Sequence, residues 1–167
     1  MKPNRQITNE LRGVLPVNGI VNGESVVVAW TKVDQEDAER FGNRSVNFLQ
    51  AGTKYVKIGN TLLHRAIMGA KKGEVVDHIN HNTLDNRKCN LRICTQSQNH
   101  MNRKGAQVNS TTGELGVHWD SKLKKFRARL QKDGKTYNFG QYKNIDDAIA
   151  ARRAAAADMF GEFAPQV

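Results

Sequence analysis

The sequence predicts an α+β protein built from small modules. Three observations carry this. Short β-prone runs closed by Gly, Asn and Asp turns recur along the 167 residues. Two of these groups run into a helical segment with a good N-cap, Thr95 in one and Asn144 in the other. Apolar residues make up 38% and aromatics 7% of the chain, which is thin for one large core.

Taken in order, residues 1–30 read as a loose entry and then a strand over 24–31, built on Val26, Val27, Val28 and Trp30. Asp34 is the expected N-cap of a short helix over 35–41, with Asp37 near its third position. Runs at 54–58 and 61–63 flank Gly59-Asn60 and predict a hairpin. Residues 62–68 read as strand passing into a short helix closed by Gly69. A strand over 75–79, a turn-rich loop over 81–86 and a strand over 91–94 follow. Thr95 then caps a helix from 96 to about 103, with Gln98 as capping-box partner. The stretch over 105–113 is small and polar, hence a linker. Beyond it, strands at 115–119, 125–131 and 135–139 are separated by turns at Asp120-Ser121-Lys122 and Asp133-Gly134. An alanine-rich helix over 145–160 closes the chain, with Ala148, Ala151, Ala155 and Met159 on one face. Four regions result: a β-rich lead-in (1–60), a central unit (61–104), the linker (105–113) and a C-terminal module (114–167).

Charge narrows the partner. The formal net charge is +10, an excess that attracts polyanions, nucleic acid first among them. The segment 61–104 is the most basic, with eight Lys and Arg against three acids. Asp77 and Asp85 nevertheless sit there beside histidines and asparagines. Acids inside a basic stretch point to a metal facing phosphate. Two cysteines, Cys89 and Cys94, are too few for a disulfide scaffold, no signal peptide opens the chain, and no apolar run is long enough to span a bilayer. A reducing, cytoplasmic setting is expected, with neither a membrane nor an obligate protein partner.

Hydrolysing a phosphodiester near neutral pH requires a deprotonated water, a neutralised phosphate and a stabilised leaving oxygen. His78, at a strand end, is a base of suitable pKa. Asp77 beside it is an oxygen ligand, and alternation points the two side chains apart. Asn99 lies in the first turns of the next helix and offers a carboxamide oxygen. These hard donors suit magnesium, with manganese second, better than zinc. Asn90 can tie the loop together and hold His78 in register. A zinc set of Cys89, Cys94, His81 and His100 is the competing arrangement, but its spacing is poor for a zinc knuckle. His64 reads as a structural histidine. Arg87, Lys88, Arg92 and Arg103 are candidate phosphate grips.

The run Val76-Asp77-His78-Ile79-Asn80 … Leu84-Asp85-Asn86-Arg87 … Asn90-Leu91-Arg92 … Thr95-Gln96-Ser97-Gln98-Asn99, with Leu62-Leu63-His64-Arg65 upstream, resembles the HNH homing endonucleases of phages. The resemblance implies a ββα-metal (His-Me finger) nuclease unit. It makes His78 the general base, Asp77 and Asn99 the ligands of one divalent cation, and Asn90 the loop-organising asparagine. Asn99 stands where the third family histidine would be, an HNN variant, with His100 beside it as the alternative donor. His81 occupies a place where the family commonly has glycine, and DNA contact is its other reading.

The C-terminal module is a small basic sheet. Arg127 and Arg129 are two apart and share a face. Trp119 and Tyr137 are expected near them, and Lys124 in the preceding turn joins the DNA-binding set. A basic ribbon of this kind can enter the major groove. Gly116-Val117-His118-Trp119 … Lys125-Phe126-Arg127-Ala128-Arg129-Leu130 … Phe139-Gly140-Gln141-Tyr142 … Asp147-Ala148-Ile149-Ala150 … Gly161-Glu162-Phe163-Ala164 resembles the AP2/ERF domain of plant ethylene-response factors, which also occurs fused to HNH nucleases. Phe126 replaces the usual tryptophan, and His118 an arginine. The resemblance implies three antiparallel strands packed on one helix, with Phe126 and Ala128 toward the helix. The expected function is a metal-dependent endonuclease acting on double-stranded DNA. A non-catalytic DNA-binding regulator is the alternative. An RNA-binding module is weaker, because no ordered row of aromatics is present for stacking bases.

Overall fold

A computed structural model describes residues 13–49, 55–103, 105–106 and 110–165. The start of the expected loose entry (1–12), Lys54 and part of the expected linker (107–109) lie outside the described residues. The protein divides into two compact units, residues 1–94 and 95–167. Among the described residues no helix is long and apolar enough to cross a membrane.

The first unit opens with a hairpin where a loose entry was expected. Strands β1 (Val14–Val21) and β2 (Glu24–Lys32) pair antiparallel, with Val21 opposite Glu24. Asn22 and Gly23 between them both take positive φ, 51° and 83°, as a two-residue turn matched to strand twist requires. Pro16 and Gly19 argue against a strand in the sequence. β1 accommodates them because it pairs with β3 (Val46–Phe48) only at Val17 and Asn18, so Pro16 lies beyond that short ladder. The hairpin's buried anchors are Leu15 and Val17 of β1 and Thr31 of β2, while Val26, Val27, Val28 and Trp30 stay exposed.

The expected second hairpin is present as β4 (Val56–Ile58) and β5 (Thr61–Leu62), and the five strands run in the order β2-β1-β3-β4-β5. Helix α2 (Leu63–Met68) follows at once and ends at Gly69 in the left-handed conformation. Strands β6 (Val75–His78) and β7 (Leu91–Cys94) form a separate antiparallel ribbon with Asp77 opposite Arg92 and His78 opposite Leu91. One core joins these pieces: Leu15, Val17, Val46, Val56, Leu63, Ile67, Val76 and Leu91 pack together.

Helix α1 (Gln35–Phe41) forms where expected, but Asp34 does not cap it with its side chain. Its carboxylate instead accepts the backbone N–H of Lys88 at 2.7 Å. The residue that opens α1 thus also holds the 3-10 turn Lys88–Asn90 that leads into β7.

In the second unit Thr95 and Gln98 complete a capping box on α3 (Gln96–Met101). Strands β8 (Val117–Asp120), β9 (Lys125–Lys132) and β10 (Lys135–Tyr142) form an antiparallel sheet in the order β10-β9-β8. β8 starts two residues later than expected because Gly116 takes φ 71°. The Asp133-Gly134 turn has φ values of 51° and 74°, matching its sequence signal. Helix α4 (Ile145–Phe160) is capped by Asn144, whose side chain accepts from Asp146. Ala155, Ala156 and Phe160 of α4 pack on Leu130 of β9.

Asp34→Ala should lower stability by about 1–2 kcal/mol, since a charged hydrogen bond to Lys88 is lost while the helix keeps its other contacts. The urea unfolding midpoint measures this. A midpoint equal to that of the parent protein would contradict the tie between α1 and the loop.

Candidate active site

His78 ends β6 and is buried, with 4% of its surface exposed. Its Nε2 lies 3.1 Å from Oδ1 of Asn86, which is wholly buried. The orientation of the Asn86 amide follows from its other neighbours. Its nitrogen lies 3.1 Å from the carbonyl of Thr83, which can only accept. The same nitrogen donates at 2.7 Å to the Thr31 hydroxyl, which in turn donates to the Leu84 carbonyl at 2.9 Å. Oδ1 therefore faces His78 and must accept. Neutral His78 carries its proton on Nε2, which leaves Nδ1 with the ring's lone pair. Burial lowers the His78 pKa from the ordinary value and outweighs the opposing pull of Asn86 and Asp77.

Aromatic rings flank this imidazole. His64 of α2 meets it edge-on at 5.0 Å between centroids, and Tyr55 lies 6.2 Å away. His64 is itself buried, and desolvation drops its pKa to about 4.

The loop after His78 is held by asparagines. Asn90 accepts the N–H of Asn80 at 3.0 Å and donates to the carbonyl of Asp85 at 2.7 Å. Asp85, also buried, accepts from Arg87 through both oxygens at 2.7 Å, and that pairing holds its pKa down. His81 takes φ 63°, so the loop has there the backbone that favours glycine. The loop also docks on β2: Lys32 donates to Leu84 and accepts from Asn86, each at 2.8 Å.

Asp77 points away from His78 along the strand. Its carboxylate receives Arg92 through Nη2 at 2.7 Å and Nε at 3.0 Å. Asn99 lies on α3, in the second unit, half-buried, and His100 beside it meets Gln96 one turn back. Among the described residues no three His, Cys, Asp or Glu side chains gather into a group that could hold a metal.

The expected DNA-contact residues fall into three groups. Arg87, Arg92 and Arg127 are each paired with an internal acid, Asp85, Asp77 and Asp120 respectively. Arg103 and Lys124 are exposed in the second unit. Trp119 and Tyr137 do not share the side of Arg127 and Arg129. The register sets Trp119 opposite Phe126 and Tyr137 opposite Leu130, which places both on the Leu130 side of the sheet. Trp119 stacks on Phe126 at 4.7 Å. The cross-strand partners of Arg127 and Arg129 are instead His118, Gln141 and Asn138. Thr31, Tyr55 and Asn86 were not singled out by the sequence. Asn86 lay inside the matched run, whereas Thr31 showed only as one alternate position of a strand.

Residues 62–101 match the family model described as HNH endonuclease. The chain is 31% identical over 113 residues to a protein of Acanthamoeba polyphaga mimivirus named as an uncharacterized HNH endonuclease, covering 64% of this chain and 57% of that protein. It is 29% identical over 93 residues to Protein 3.8 of Escherichia phage T7, covering 56% of this chain and 75% of that protein. No solved structure matches. These likenesses support an HNH-type segment over residues 62–101.

The depressed pKa of His64 gives the fold a pH signature. Unfolded, this histidine takes up a proton near its ordinary 6.5; folded, it resists until about 4. The stabilisation is complete above 6.5 and is lost as pH falls toward 4. The melting temperature should fall over that interval, and His64→Phe should fall less steeply. Identical slopes for the two proteins would show that His64 is not held neutral.

Proposed function

We propose that this chain is a metal-dependent DNA endonuclease of homing type, with His78 as its general base. The observation that supports it is the 3.1 Å contact of His78 Nε2 with the buried Asn86 Oδ1, which favours the Nε2–H tautomer. A water beside Nδ1 gives up its proton to that nitrogen as its oxygen attacks phosphorus. The Nε2–H bond to Asn86 keeps the ring in place and stabilises the imidazolium that forms. The lowered pKa keeps His78 neutral, hence ready to accept a proton, at pH 7. Asn90 holds the loop that carries this geometry.

A divalent cation fits the chemistry of Asp77. Magnesium is commonly held by only one or two carboxylates plus water and substrate phosphate, so a three-residue cluster is not required. Asp77 is a hard oxygen donor paired with Arg92. The resemblance to HNH enzymes adds Asn99 as the second protein oxygen. When bound, such an ion neutralises charge on the scissile phosphate and the leaving oxygen. Magnesium is the first choice and manganese the second.

The second unit reads as the address module, of ethylene-response-factor type. Arg127 and Arg129 share the sheet face turned away from buried Ala128 and Leu130, which supports double-stranded DNA as the partner of that face. A single nuclease centre per chain cuts one strand per encounter.

Incubation with genomic or plasmid DNA should give cleavage with magnesium and none with chelator. His78→Ala should slow it by about a hundredfold or more, as loss of a general base does. The acid limb of the single-turnover rate should lie below the ordinary histidine value of 6.5. DNA binding with no magnesium-dependent, His78-dependent cutting would leave a non-catalytic DNA-binding role as the better reading.

A further inference from the structure

Arg152 of α4 is out of place for a charged residue. It is nine-tenths buried, with 8% of its surface exposed, on a helix otherwise packed through alanines. Its Nε is buried and has no hydrogen-bond partner among the described residues, and no carboxylate pairs with it. Arg129 of β9 is half-buried, and its Nε is also without a hydrogen-bond partner among the described residues. Burying a guanidinium without a counter-charge is costly, so Arg152 needs an account.

Both arginines line the same groove of about 860 Å³ in the second unit, together with Gly116, His118, Gln131 and Thr136. Glu114 and Asp133 also line it, but neither pairs with Arg129 or Arg152. Gly116 is the residue that leaves room for the Arg152 side chain. It takes φ 71°, and a Cβ there would come within 2.4 Å of the Arg129 carbonyl and 3.2 Å of the Arg152 Nε. The strand start is pared to bare backbone beside the Arg152 side chain, and Gly116 accepts the Arg129 N–H at 2.8 Å. Desolvation and the neighbouring Arg153 both disfavour the charged form of Arg152, so an anion at this point would relieve it.

We propose that Arg152 holds one phosphodiester group of bound DNA in this groove, which Arg129 also lines. The helix behind the sheet then contributes a charge to DNA binding, and the buried guanidinium finds its counter-charge in the ligand. The proposal rests on reading the chain as DNA-binding, but not on its cutting DNA.

The test is fluorescence anisotropy of a short duplex with the full chain, in chelator, across a salt series, so that it reads binding whether or not cleavage occurs. Arg152→Met should bind about tenfold more weakly, the size of a charged hydrogen bond. Its slope of log affinity against log salt should shrink by about one, the loss of one phosphate contact. Arg152→Lys should recover the slope. Arg152→Met should also melt no lower than the parent, because it removes an uncompensated buried charge. Unchanged affinity and slope in a folded Arg152→Met would overturn the proposal. So would inorganic phosphate that saturates the Arg152 Nε–H signal at submillimolar concentration while leaving DNA binding unchanged, since the site would then serve a free anion. A parent chain with no affinity for DNA would overturn the DNA-binding reading as well. Binding without cleavage would leave this proposal standing while sinking the nuclease.

Discussion

Asn86 has no surface exposed, and the carbonyl of Thr83 can only accept a hydrogen bond. Those two facts force its amide to face one way, and much of the first unit is arranged around that constraint. A buried amide with an unmade bond costs about 1–3 kcal/mol, so each of its contacts has to be supplied. Thr31 supplies one, from a strand 55 residues earlier in the chain. His78 supplies another. The β1–β2 hairpin is therefore part of the histidine's setting, because it carries the hydroxyl that completes the Asn86 bonds.

The same loop concentrates charge where water is scarce. Asp85 is buried, yet it stays ionised because Arg87 meets both of its oxygens. Arg92 donates twice to one oxygen of Asp77 across the β6–β7 ribbon. An arginine committed to an internal acid has fewer donors left for phosphate, so Arg87 and Arg92 organise the site as much as they could grip DNA. In the other unit, Arg129 and Arg152 have no such acid partner among the described residues.

Features that rest on local chemistry were legible in the sequence. The Thr95–Gln98 capping box, the Asn144 cap and the Asp133-Gly134 turn follow from neighbouring residues, and the structure has each of them. Features that rest on distant contacts were not. β1 was hidden because Pro16 and Gly19 weaken the strand pattern, while its support comes from pairing with β2. The Asp34 carboxylate turned from its own helix to Lys88, 54 residues away. On the sheet, alternation separated Arg127 and Arg129 from Phe126 and Ala128 correctly. Trp119 and Tyr137 were misgrouped because their side depends on cross-strand register, which composition does not reveal. For the site, His78, Asp77 and Asn90 were visible in the motif, but the partner that sets the histidine's tautomer was not.

The claim on which the account turns is that His78 is neutral, protonated on Nε2 and bearing its lone pair on Nδ1. Nitrogen NMR of the full chain with labelled histidine at neutral pH reads this directly. The account predicts a pyrrole-type signal for Nε2 and a pyridine-type signal for Nδ1 of His78. The reverse assignment, or two pyrrole-type nitrogens from a charged ring, would contradict it.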